Sequence, residues 1–144
     1  MAKDWTLLVI ASAQGRPLSP VQLQKALFLL GRNLSTQQLH TSDFYEFRAY
    51  DYGPFNQQVY IDAQTLRDEG LIVIDPNAGV RYRDYGATPA GLEAARKLRQ
   101  PLNSDVTAYL DKVVTWVGAL SFTALVKAIY RDYPDMKANS VFRD

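Results

Sequence analysis

Gly70-Leu71-Ile72-Val73-Ile74-Asp75-Pro76-Asn77-Ala78-Gly79-Val80-Arg81-Tyr82-Arg83-Asp84-Tyr85-Gly86-Ala87-Thr88-Pro89-Ala90-Gly91 is the stretch on which the fold turns. Two β-prone runs, 71–74 and 80–85, flank a segment of turn-forming Asp, Pro, Asn and Gly, which predicts a β-hairpin. Thr88 then offers an N-cap oxygen and Pro89 suits a first helical position, so a helix carrying Leu92, Ala94, Ala95 and Leu98 is expected to run to about Gln100, where Pro101 ends it. A hairpin that feeds directly into a capped helix is the local pattern from which the rest is read.

Upstream of the hairpin, Phe55, Val59, Ala63 and Leu66 recur at helical spacing, predicting a helix from Pro54 to Glu69 that Gly70 stops. Before it, Tyr45, Phe47 and Ala49 alternate with Glu46 and Arg48, the period of a half-buried strand over 44–50 with its two charges on the wet face. The polar segment 31–43 reads as a loop or irregular turn. Ser19, Pro20 and Gln22 form a capping-box start for a helix to about Arg32, whose apolar residues fall at almost every azimuth and leave only a strip of Gln22, Lys25 and Arg32. That helix is expected at the centre of the fold. A first helix over 3–13, with Trp5 and Leu7 to Ile10, halts at Gly15 and Pro17. Two further helices follow the hairpin unit, Ser104 to about Val117 and Ser121 to Tyr133, the latter with Phe122, Leu125, Val126 and Ile129 in register.

The chain has 144 residues, 47% apolar and 22% charged, enough to bury a core without covalent staples. Sixteen Lys and Arg against fifteen Asp and Glu leave a formal charge of +1, which removes the simplest electrostatic argument for nucleic-acid binding. The absence of cysteine excludes disulfides, thiolate metal sites and cysteine nucleophiles. The apolar run Leu7 to Ile10 is too short for a signal core or a membrane span, so a cytoplasmic protein without a membrane partner is expected.

This order of elements is that of a mainly α (α+β) protein: a winged helix-turn-helix-like core over 1–101 with the hairpin as a small wing, and a C-terminal helical pair over 102–144. The added pair would pack on the core or form a homodimer interface. Tyr85-Gly86-Ala87-Thr88-Pro89-Ala90-Gly91 resembles the exit from a wing. Leu18-Ser19-Pro20 with Leu23-Gln24-Lys25-Ala26-Leu27-Phe28-Leu29, followed by Phe47-Arg48-Ala49-Tyr50-Asp51-Tyr52-Gly53-Pro54-Phe55, resembles the leucine-glutamine-lysine helix and tyrosine-glycine-proline turn of the SocA-like Panacea domain and its YwgA-like winged-helix relatives. The likeness covers roughly residues 18 to 75. It implies a bacterial or phage protein that acts as an antitoxin or proteolytic adaptor by holding another protein, a toxin or regulatory target, with no reaction catalysed.

Candidate chemistry is sparse. His40 is the sole histidine, so no histidine metal cluster or histidine pair can be built, and the carboxylates are dispersed. The glycines form no phosphate-cradling loop; no enzyme, cofactor or metal is expected. Tyr50, Tyr52, Phe55 and Tyr60 gather aromatic area around Gly53-Pro54, either as partner anchors or as packing between strand and helix. The expected partner-binding residues are Tyr50, Tyr52, Gly53, Pro54 and Phe55 around that turn, with Gln24 and Lys25 of the central helix in support and the Lys25 ammonium reaching water or a partner. The alternative is a DNA-binding transcriptional regulator using Arg81 and Arg83 on the wing and Gln57 and Gln58 on the reader helix. Against it, the 54–69 segment carries one arginine and three acids. Phe142, near the end of the sequence, either docks back on the core or frays.

Overall fold

The computed structural model describes residues 1–76 and 83–142. Seven α-helices are described: α1 (Ala2–Ser12), α2 (Pro20–Asn33), α3 (Thr36–Leu39), α4 (Gln57–Asp68), α5 (Pro89–Arg99), α6 (Ser104–Ala119) and α7 (Phe122–Asp132). Two antiparallel hairpins interrupt them, β1 (Arg48–Tyr50) with β2 (Gly53–Phe55), and β3 (Ile72–Pro76) with β4 (Arg83–Ala87). The chain is thus mainly α (α+β), and β3 and β4 are the two strands of the hairpin expected as the wing. Their register sets Ile74 opposite Tyr85 and Asp75 opposite Asp84. Leu18, just before α2, forms an isolated antiparallel bridge with Tyr85 through two backbone hydrogen bonds of 2.9 Å, which anchors the wing to the core.

Local chemistry explains the boundaries. At α2 the Gln22 N–H donates to Ser19 Oγ at 3.2 Å and the Ser19 N–H to Gln22 Oε1 at 2.9 Å, the reciprocal cap read from the sequence. Thr88 caps α5 through the Gly91 N–H at 3.0 Å and donates its own hydroxyl proton to the Gly70 carbonyl at 2.7 Å, fastening wing exit to helix start. Gly91 is required there: a Cβ would overlap the Leu71 carbonyl oxygen.

Every residue of α2 from Leu23 to Leu30 is buried, which makes it the axis of the core. The buried faces of α1, α4, α6 and α7 join it in one apolar cluster. α6 packs against α1 and α2, and α7 against α2 and β2, so the C-terminal helices bury Val106, Leu110, Val113, Val117, Leu125 and Ile129 within their own chain. A 3₁₀ turn, Pro134–Lys137, follows α7. Arg32 pins it with two bonds to Asp135 (3.1 and 3.2 Å) while its guanidinium lies over Tyr133 and Phe28.

Four expectations need correction. The polar segment 31–43 holds helix α3, begun by a capping box of Ser35 and Gln38 that is too short to show apolar periodicity. The strand expected over 44–50 is hydrogen-bonded only at Arg48–Tyr50, although its alternation holds: Tyr45 is buried, while Glu46 and Arg48 are exposed. Pro54 does not open a helix; it sits in β2 opposite Ala49, and α4 begins three residues later under an Asn56 cap. Phe122 is not part of the α7 core stripe and lies 45% exposed.

Candidate functional site

The β1–β2 hairpin is held from beneath by two side chains of the central helix. Gln24 uses both ends of its amide: Nε2 donates to the Asn56 carbonyl at 2.9 Å and Oε1 accepts from the Asn56 N–H at 3.0 Å, as a neighbouring strand would. Asn56 in turn donates from Nδ2 to the Glu46 carbonyl (2.7 Å) and accepts the Gln58 N–H (2.7 Å). One glutamine therefore ties α2 to the hairpin and to the start of α4.

Lys25 donates from Nζ to the Tyr52 carbonyl at 2.6 Å. The side chain is 3% exposed and, among the described residues, belongs to no ion pair. Burial without an acid lowers its pKa to about 8. Gly53 lies directly above, with φ +108°, and a Cβ there would stand 3.3 Å from Lys25 Nζ and 3.4 Å from the Tyr130 ring. Glycine thus serves both the turn's left-handed backbone and the approach of the buried cation.

From this base the aromatic residues fan outward. Tyr50 stacks on Phe55 at 5.0 Å, Phe55 meets Tyr60 edge to face at 5.7 Å, and Tyr60 stacks parallel to Tyr85. On the other side of the turn Tyr52 meets the Phe122 ring at 5.2 Å. The two alternatives for these rings divide by residue. Phe55 and Tyr60 pack the hairpin onto α4, and burial pushes the Tyr60 hydroxyl up to about 12. Tyr50 and Tyr52 keep 52% and 43% of their surface in water. Gly53 and Pro54 are buried along with Gln24 and Lys25, so these four position the surface and form none of it.

Beside Tyr52 a cleft of about 680 Å³ opens between the start of α2 (Ser19 to Gln22) and the α6–α7 turn (Leu120 to Phe122). Its size is that of a pocket able to seat a large side chain or a short peptide. Asn56 and Phe122 were missed at the sequence level: an N-cap asparagine looks like any polar residue, and Phe122 falls in register with a buried stripe.

Arg81 is outside the described residues, and Arg83 opens β4 opposite Pro76. Gln57 and Gln58 are exposed at the start of α4, but Gln58 Nε2 already donates to Asp62 at 2.9 Å. Asp62 also accepts from the Tyr45 hydroxyl, itself joined to Thr6, so this acid serves a partly buried structural network. Arg67 on α4 pairs with the adjacent Asp68. His40 is exposed at the left-handed C-cap of α3. Among the described residues no group of three or more acids and histidines is placed to hold a metal ion, and no helix is long and apolar enough to cross a membrane. Compared with protein-family models, curated proteins and solved structures, the chain matches none.

Proposed function

We propose that this chain is a non-catalytic, cytoplasmic protein-binding module, similar to the antitoxin and adaptor members of the Panacea-like group, and that the face around Tyr50, Tyr52 and Phe122 grips its partner. One observation carries the reading: the half-exposed rings of Tyr52 and Phe122 border a sizeable cleft, and two buried side chains of the central helix hold the hairpin that carries Tyr52. Rigid aromatic anchors beside a pocket are the features that concentrate binding energy in protein interfaces. The partner expected from the resemblance is a toxin or another regulatory target of a bacterial or phage system.

The test exploits a division within Tyr52. Its carbonyl belongs to the Lys25 bond and its ring to the surface, so Tyr52→Ala keeps the support and removes the anchor. A tagged full-length chain should retain a specific bacterial protein that both Tyr52→Ala and Phe122→Ala release, while the melting temperature of each variant stays within a few degrees of the parent. Retention unaffected by both changes would sink the proposal. So would micromolar or tighter binding to a mixed-sequence duplex that collapses with added salt, the signature of phosphate contacts and of a gene regulator.

A further inference from the structure

The carbonyls of the β1–β2 turn are engaged from two sides. Lys25 takes Tyr52 from within, and the end of the described chain takes Asp51 from without. The Val141 N–H donates to the Asp51 carbonyl at 2.9 Å, the Ser140 hydroxyl leans on the same oxygen at 3.4 Å, and Asn139 Nδ2 donates to the Ala49 carbonyl at 3.1 Å. Ser140 Oγ also accepts the Tyr130 hydroxyl at 2.7 Å and the Phe142 N–H at 3.0 Å, a local turn that leads into the half-buried Phe142 ring. That ring lies edge to face with Phe122 (6.3 Å) and with Tyr130 (6.4 Å). Phe122 is the residue that meets Tyr52.

We propose that the outer edge of the β1–β2 turn and the Phe122–Tyr130 niche form a docking site for an extended peptide of a partner protein, one bearing a hydroxyl residue two positions before an aromatic one, and that residues 139–142 are the built-in competitor for it. This rests on the reading of the same face as a protein-binding surface and adds the chemistry of what binds there. The occupant is inferred from the segment already seated: a main-chain N–H for Asp51, a hydroxyl for Tyr130 and a ring for Phe122. Recognition by main-chain bonds plus one side-chain pocket is how sheet edges take up extended peptides.

The tether is suited to exchange. Val141 is 53% exposed and Asn139 is also in water, so few apolar contacts hold the segment apart from the half-buried Phe142 ring. A tethered segment competes at an effective concentration on the order of millimolar, so an incoming peptide of similar affinity is suppressed until the tether is weakened.

The test uses the full chain and a fluorescein-labelled peptide, Ala-Asn-Ser-Val-Phe-Arg-Asp, that copies residues 138–144. Val141→Pro with Phe142→Ala removes the N–H and the ring of the tether, and Phe142→Ala alone is the milder second variant. Fluorescence anisotropy should show the peptide binding at least tenfold more tightly to the double variant than to the parent, with the single variant between them. Adding Phe122→Ala to the double variant should abolish binding, as should replacing the peptide's Phe by Ala. Equal affinity for parent and double variant, or binding to neither, would overturn the proposal. A dimer that forms with rising concentration in the parent and is absent from the double variant would assign the site to a second copy and equally overturn it. Tighter peptide binding to the double variant, together with capture of a partner by the parent that Tyr52→Ala and Phe122→Ala leave intact, would uphold this site and overturn only the functional reading.

Discussion

Lys25 is a cation buried against a single carbonyl, and the pH dependence of stability should reveal it. Its pKa falls from the usual 10.5 to about 8 because burial penalises the ammonium and no carboxylate repays the loss. With the folded value below the unfolded one, the unfolded chain binds more protons between these limits, so stability must rise with pH across that window. Below about pH 8 both states are protonated and the penalty is present in full; above it the folded lysine sheds its proton and the penalty is progressively relieved. Integrating the linkage from pH 7 to about pH 9.5 yields a gain of about 2 kcal/mol. The raised tyrosines work in the opposite sense: an unfolded tyrosine ionises near pH 10 while buried Tyr45 and Tyr60 do not, which favours the unfolded chain only above that pH. The window below about pH 9.5 therefore isolates the lysine.

Lys25→Met removes the titrating group. It also leaves the Tyr52 carbonyl without this donor, at a cost of about 1–3 kcal/mol, which offsets most of the relieved burial penalty. Urea melts should find the variant within about 1–2 kcal/mol of the parent at pH 7 but without the parent's rise of about 2 kcal/mol by pH 9.5. A parallel rise in both proteins would refute the reasoning. So would a flat parent.

Gln24 under the β1–β2 hairpin and Gly91 at the start of α5 give sharper losses. Gln24→Ala deprives the Asn56 N–H and carbonyl of this partner and opens a void in the central helix, so chemical denaturation should show a loss of about 3 kcal/mol, whereas an exposed glutamine such as Gln57 should tolerate alanine within about 0.5 kcal/mol. Gly91→Ala sets a methyl against the Leu71 main chain, which cannot rotate away, and should cost about 3 kcal/mol or more with a fall in melting temperature of roughly 6–12 °C.

Much of the architecture was legible because it is local. Ser19 with Gln22, and Thr88 with Pro89, announce helix starts through chemistry spanning three residues, and the structure places both caps where the pattern demands. The all-round apolar surface of α2 requires a central position, and the helix occupies one. The errors arose where a local signal had two solutions. Pro54 fits a first helical turn and an edge strand equally well, and the choice was made by the pairing of Ala49 with Pro54 across the hairpin. Phe122 fits the helical stripe, but it falls in the first turn of α7, where the Tyr52 and Phe142 rings meet it at the surface.

From the amino-acid order alone came the class of the protein, the Ser19 and Thr88 helix caps, the wing strands and the central helix that carries Gln24 and Lys25. Each follows from periodicity or from hydrogen bonds between near neighbours, which act over a few residues whatever the rest of the chain does. Tertiary structure alone decided what those groups touch: Lys25 reaches a carbonyl 27 positions away, Gln24 closes on Asn56 32 positions away, and Ser140 meets the Asp51 carbonyl across 89. Such partners are chosen by the packing of whole helices around α2, because a buried polar group must find whatever donor or acceptor the finished core brings within about 3 Å, and no short window of sequence records which one that is.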